Sequence, residues 1–209
     1  MDVMDFFRTC EGRWYSQRVS HHLAFRRQEK GESEIAITCM SGDAPEVVAL
    51  CELHKMDPAQ ALGGALVCWH GVVQGDDLNH DGRSLLVPVP DQPGAKTGAL
   101  LRDLGYAEIV PVAGRYAVGA DGSLALNTCY QDTESEERFW FGGENLRFRC
   151  STLKRWGGLS MTTFCSEVRL QEGESLQNRP AGAILQERLG IPTGAELKVT
   201  SQSYSPWGG

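Results

Sequence analysis

The sequence predicts a mainly β protein: an antiparallel up-and-down barrel of about ten strands with two short helices. Three observations carry that expectation. Short alternating apolar runs recur along the chain, turn residues stand between them at hairpin spacing, and helical periodicity occurs at only two places. An open sandwich of the same strands shares this pattern, because periodicity does not report closure. A single domain is expected over residues 1–209, since 41% hydrophobic content in a chain of this length suffices for one core.

Val3, Phe6, Phe7 and Cys10 recur at i, i+3, i+4 and i+7, so residues 2–10 read as an amphipathic helix. Residues 14–25 read as a strand, followed by a polar turn at Lys30-Gly31-Glu32 and a second strand over 35–39. Asp43-Ala44-Pro45-Glu46 opens the second helix with an acid at the N-cap, an early proline and a glutamate three residues on. Its apolar stripe is Val47, Leu50, Cys51 and His54, and it should stop before Pro58. Strands are then expected over 65–73, 84–89, 106–112, 115–119, 124–130, 138–141, 146–152, 159–170 and 197–204. Asp121-Gly122 and Gly142-Gly143-Glu144-Asn145 supply hairpin turns. The Gly/Pro-rich stretch 173–194 reads as a long loop within the same domain.

Composition excludes several function classes. Twenty basic against twenty-seven acidic residues give a net charge of -7, which argues against a general grip on nucleic acid. No apolar run reaches the roughly 18 to 20 residues of a membrane-spanning helix. The N-terminus, Met1-Asp2-Val3-Met4-Asp5, is acidic where a targeting leader is basic, so a cytoplasmic location is expected. The seven cysteines, at 10, 39, 51, 68, 129, 150 and 165, show no C-x-x-C spacing and read as reduced thiols. With no phosphate-cradling glycine loop, H-E-x-x-H or G-x-S-x-G motif, neither a metal nor a prosthetic group is expected.

The chemistry-bearing residues lie on the strands. In 146–152, Leu146, Phe148, Cys150 and Thr152 share one face, and Arg147, Arg149 and Ser151 share the other. The Arg face is either a solvated outer surface or the lining of a lumen for an anionic ligand such as a dicarboxylate. Glu136 and Glu137 either balance that charge or belong to a solvated acidic turn over 132–137. Trp14, Ser16, Arg18, Ser20 and His22 share one face of the first strand, and Trp69 shares a face with Val67 and Gly71. These tryptophans read equally as core or as stacking surfaces for a flat conjugated ligand. His21 and His22 point to opposite faces and cannot share a metal directly.

Gly12-Arg13-Trp14-Tyr15-Ser16-Gln17-Arg18-Val19-Ser20-His21-His22-Leu23-Ala24-Phe25 closely resembles the opening motif of the S/U-type phycobiliprotein lyases of cyanobacteria. The resemblance continues through Ala61-Leu62-Gly63-Gly64-Ala65, Trp69 and Leu86-Val87-Pro88-Val89-Pro90-Asp91. It is densest at Ser135-Glu136-Glu137-Arg138-Phe139-Trp140-Phe141 and Asn145-Leu146-Arg147-Phe148-Arg149. It ends with Gly157-Gly158-Leu159-Ser160-Met161 and Phe164-Cys165-Ser166-Glu167, so that it spans about residues 6–170.

The resemblance implies a barrel like those of lipocalins and fatty-acid-binding proteins, carrying an open-chain tetrapyrrole, a bilin such as phycocyanobilin or phycoerythrobilin. It implies an enzyme of the lyase class that attaches the bilin through a thioether to a cysteine of an apo-phycobiliprotein, phycocyanin or phycoerythrin, at the β-subunit's central site. The bilin is then a transferred substrate and not a cofactor. Carried over by motif, the implied catalytic residues are Glu136, for the pyrrole cation, and His21, for proton transfer or positioning. The implied bilin-binding residues are Arg18, Trp69, Arg147 and Arg149, with Ser151 on the same face as the Arg pair. One departure is Gly75, where many members have a second tryptophan. A non-catalytic bilin carrier and a partner subunit of another lyase remain alternatives, with a homodimer or a heterodimer as the assembly.

Overall fold

The computed structural model describes residues 1–73, 80–103, 113–130, 132–155 and 157–174, together with 186, 187 and 190. It opens with helix α1, Val3–Cys10, whose N-terminus is closed by a capping box between Asp2 and Asp5. Strands β1, Gly12–His22, and β2, Arg27–Met40, follow, separated by a 3-10 turn at Leu23–Phe25. Helix α2, Pro45–Leu53, leads into β3, Gly64–Val73, β4, Gly82–Pro90, and β5, Thr97–Arg102. The remaining strands are β6, Ala113–Val118, β7, Leu124–Tyr130, β8, Thr133–Gly143, β9, Leu146–Arg155, and β10, Gly158–Arg169.

Every strand pairs antiparallel with its neighbour in sequence, and β1 pairs with β10 to close a ten-stranded barrel. The up-and-down reading therefore stands and the open sandwich does not. The sequence offers eleven strand segments for these ten strands, and they do not all coincide. The turn expected at Lys30-Gly31-Glu32 is continuous strand, and the chain reverses instead at Leu23–Arg26, where Arg26 takes a left-handed φ of 51°. Of the acidic run 132–137, residues 133–137 are the first part of β8 and not a turn. β5 went unread, while the strands expected over 106–112 and 197–204, like the loop 173–194 beyond residue 174, lie largely outside the described residues. At α2 the N-cap is Ala44, without a side-chain cap, because Asp43 instead accepts a hydrogen bond from Ser41.

The core is split by the barrel wall. Inside, α1 plugs one end: Val3, Phe6, Phe7 and Cys10 pack onto Trp14, Ile35, Ile37, Leu100, Tyr116 and Leu126. Phe6 meets Phe141 with ring centroids 5.2 Å apart, and the Trp14 indole donates to the Cys10 carbonyl at 2.7 Å, tying helix to barrel. Outside, α2 lays Val47, Leu50 and Cys51 over Leu85, Val87 and Leu101 of β4 and β5. The plug makes one half of the lumen a solid apolar core, and the polar side chains are left to the other half. Among the described residues, no helix is long and apolar enough to cross a membrane.

Candidate functional site in the charged half of the barrel

Strand register decides which side chains enter the lumen. Trp14 and Ile35 are paired and both belong to the inner core, so their alternates Ser16, Arg18, Ser20 and His22 on β1 also point inward. β1 runs against β10 without a bulge, so Ser16 lies beside Glu167, Arg18 beside Cys165 and Ser20 beside Thr163. β10 in turn brings Arg147, Arg149 and Ser151 of β9 beside Glu167, Cys165 and Thr163. The Arg face of β9 is thus the lining of the lumen.

The same registers place two expected residues elsewhere. Glu136 pairs with Asn127 and Thr152 on the outer wall and is exposed, whereas Glu137, one residue on, pairs with Leu126 and faces inward. His21 is exposed on the outer wall beside Thr162, and His22 occupies the inner face. The reason is simple alternation: an inward Arg18 on an unbulged strand forces His21 out, and an inward Phe139 forces Glu137 in and Glu136 out. The lumen therefore contains Glu137 and His22 instead of Glu136 and His21.

Four arginines meet three carboxylates there. Deepest is Arg147, whose Nε donates to Glu167 Oε2 at 2.5 Å, both residues being almost wholly buried. Ser16 Oγ donates to the other Glu167 oxygen at 3.2 Å, and the Arg147 guanidinium stacks 4.7 Å from the Trp14 ring centroid. Burial works against both charges, but each ion holds the other: Glu167 lies below the usual carboxylate range and Arg147 above its ordinary value. Arg147 is consumed by this arrangement.

Arg149 stands one step nearer the open end. Its Nη1 lies 3.5 Å from Glu137 Oε1, its Nη2 donates to Cys165 Sγ at 3.3 Å, and its guanidinium sits 5.7 Å from the Phe139 ring centroid. Arg102, on β5, reaches the other Glu137 oxygen at 3.6 Å. Arg18 forms a 2.9 Å bond to Glu29, whose second oxygen lies 3.7 Å from His22 Nε2. Gly31 makes room for Arg18 to lie flat on β2, since a Cβ there would come within 3.2 Å of Arg18 Nη2. Ser151 is half-buried opposite Glu137, near the bonded pair Ser20 and Thr163 at 2.9 Å. Trp69 packs at the edge of the inner core with its ring over Gly82, where any Cβ would overlap it. Gly75 lies outside the described residues.

Of the expected site residues, Arg18, Trp69, Arg147, Arg149 and Ser151 lie on the inner wall; Ser16 and His22, read on the face of Arg18, and Glu29, Arg102 and Glu167 join them there without having been expected in the site. Three of these were legible as partners of the inward set on β1 or β10. Arg102 was not, because its strand went unread. Chemically, the charged half can hold anionic groups on guanidinium forks, offer a carboxylate to a cationic or N–H-rich centre, and present an indole to a flat ring.

Comparison with known proteins identifies the family. The family model of CpeS-like proteins matches residues 2–170. A chromophore lyase CpcS/CpeS of Thermosynechococcus vestitus is 53% identical over 170 residues, covering 81% of this chain and 93% of its own. A phycocyanobilin lyase subunit CpcS of Picosynechococcus is 45% identical over 172 residues, covering 81% of this chain and 87% of its own. Among solved structures, an S-type phycobiliprotein lyase from Guillardia theta matches with a TM-score of 0.72 and 31% identity, covering 82% of this chain and 94% of that one. With a family match over residues 2–170, and relatives 53% and 45% identical over 81% of the chain, the chain belongs to the CpeS-like proteins.

Proposed function

We propose that this protein is a bilin lyase. It holds an open-chain tetrapyrrole in the charged half of its lumen and presents it to a cysteine of a phycobiliprotein subunit. The observation that carries the reading is the lumen itself: apolar and plugged by α1 at one end, and lined at the other by Arg18, Arg102, Arg149 and Glu137. A bilin complements each part. It has two propionates for guanidinium forks, a conjugated plane for Trp69, and pyrrole nitrogens that a carboxylate stabilises when protonated.

The reaction adds the acceptor's thiolate to the exocyclic ethylidene carbon of the bilin. A C–S bond forms, the ethylidene double bond is consumed, a proton is taken up by the ring system, and nothing leaves. The barrel supplies no nucleophile. Its part is to hold one bilin conformer, which supplies orientation, and to favour the protonated, more electrophilic form. Arg149 and Arg18 are guanidiniums for a propionate, Glu137 the carboxylate for the pyrrole cation, and His22 with Glu29 the pair that positions or moves a proton. Phycocyanobilin or phycoerythrobilin is the substrate, and the central cysteine of a phycocyanin or phycoerythrin β-subunit is the acceptor.

A second reading, that the chain works as one subunit with a related lyase, is favoured by the subunit named among its relatives. Mixing purified protein, bilin and apo-subunits, then reading covalent pigment by fluorescence on a denaturing gel, tests both. Pigment on an acceptor subunit is the expected result. Pigment only when a second lyase-like protein is added would favour the subunit reading, and pigment bound solely to this chain would mark a carrier.

A further inference from the structure

Glu137 is held in an unusual way. One oxygen faces Arg149 at 3.5 Å and the other faces Arg102 at 3.6 Å, both well beyond the roughly 2.7 to 2.9 Å of a formed charge-assisted bond. The neighbouring Arg147–Glu167 pair, at 2.5 Å, shows what a committed pair looks like in the same lumen. Arg102 comes from β5, three strands around the ring from β8, so it spans the lumen to reach Glu137. Its side chain is only 11% exposed, and its buried Nε has no hydrogen-bond acceptor among the described residues. The buried Nε of Arg18, on β1, is in the same condition. A guanidinium fork with a buried, unused donor is incomplete, because native proteins pair nearly all such groups.

We infer that Arg102 is a carboxylate-binding residue of the site, and that Glu137 lies where the ligand's own carboxylate would bind. The inference rests on the bilin reading and deepens it. A planar carboxylate entering beside Arg102 can take Nε and Nη2 together, in the two-pronged geometry that Glu137 does not complete. One propionate of the bilin binds there, and the other lies toward Arg149 and Arg18. Once the propionates occupy these guanidiniums, Glu137 is released from both and its charge turns to the pyrrole nitrogens. A ligand with two carboxylates is thereby coupled to the residue that stabilises its protonated form, and a neutral tetrapyrrole leaves Glu137 engaged.

Bilin and bilin dimethyl ester, titrated by absorbance into the full chain and into Arg102→Ala and Arg102→Lys, test this. The diacid is expected to bind Arg102→Ala roughly 10- to 150-fold more weakly than wild type, with Arg102→Lys between them because lysine keeps the charge and lacks Nε. The ester is expected to bind wild type and both variants alike, which also serves as the check that the barrel is intact. Loss of diacid and ester affinity in equal measure, or no loss of either, would overturn the role of Arg102. Wild type that binds neither compound would instead sink the bilin reading from which the inference starts.

Discussion

Arg147 and Glu167 form a buried ion pair 2.5 Å long beneath the open half of the lumen, and Arg149, two residues along the same strand, is 19% exposed and meets Glu137 at 3.5 Å and Cys165 at 3.3 Å. Two arginines alike in sequence spacing therefore do different things. Arg147→Ala leaves Glu167 charged and buried without its partner, which costs on the order of 3–5 kcal/mol. The expected outcome is a protein destabilised by about that amount in urea, with bilin affinity reduced only in proportion to the unfolded fraction. Replacing both partners by leucine is expected to restore much of the stability. An Arg147→Ala variant of native stability would show that the pair contributes nothing.

The same pair sets a pH dependence. Burial pushes the Glu167 carboxyl up, and Arg147 and Arg149 outweigh it, so the folded value lies below the unfolded one. A depressed carboxylate stabilises the fold fully above its unfolded value of about 4.3 and loses that contribution as pH falls toward the folded value. Urea midpoints are expected to drop as the solution is taken below about pH 5. Glu167→Gln is expected to be less stable at neutral pH and to show a shallower acid slope, since Asp91, held at about 2 by Arg115, and other carboxylates still titrate. Equal slopes would remove Glu167 from the acid response.

None of the thiols is expected to be needed as a nucleophile. Cys150 lies on the outer-facing set of β9, Cys39 packs at the plugged end, and Cys165 is the thiol beside Arg149. Burial pushes the Cys165 thiol above its ordinary value, despite Arg149, and so keeps it protonated and weakly nucleophilic. Cys165→Ser, Cys39→Ser and Cys150→Ser are each expected to transfer bilin. A folded variant that has lost transfer completely would reveal a covalent relay.

Gly82 carries a packing prediction. A Cβ at this position overlaps the Trp69 indole, so Gly82→Ala must move the ring. The Trp69 environment, and with it the absorbance of bound bilin, is expected to shift, while the acid response stays that of wild type. An unshifted spectrum would place Trp69 away from the ligand.

Much of the barrel was legible because its strands alternate cleanly and Asp121-Gly122 marks a tight turn, although Gly142 and Gly143 end β8 and the turn itself is Glu144-Asn145. β5 was not: Thr97-Gly98-Ala99-Leu100-Leu101-Arg102 holds one β-branched residue, and Gly98 is there because Val89 and Tyr116 crowd its backbone. Missing that strand meant missing Arg102. Gly31 misled in the other direction, reading as a turn when its missing side chain makes room for Arg18. For the site, alternation sorted each strand into faces correctly, but only closure and register say which face is inner. Glu136 and His21 were implied by the motif alone, and alternation already set His21 opposite Arg18 on an unbulged strand; the register places Glu137 and His22 in the lumen.

The most direct test of the lumen as the bilin site is an absorbance titration of bilin into wild type, Arg149→Ala and Glu136→Gln side by side. Loss of one charge-assisted contact predicts about 10- to 150-fold weaker binding for Arg149→Ala. Glu136→Gln, on the outer wall, is predicted to bind as wild type does. Unchanged affinity in Arg149→Ala, or a loss confined to Glu136→Gln, would contradict a ligand held inside the barrel.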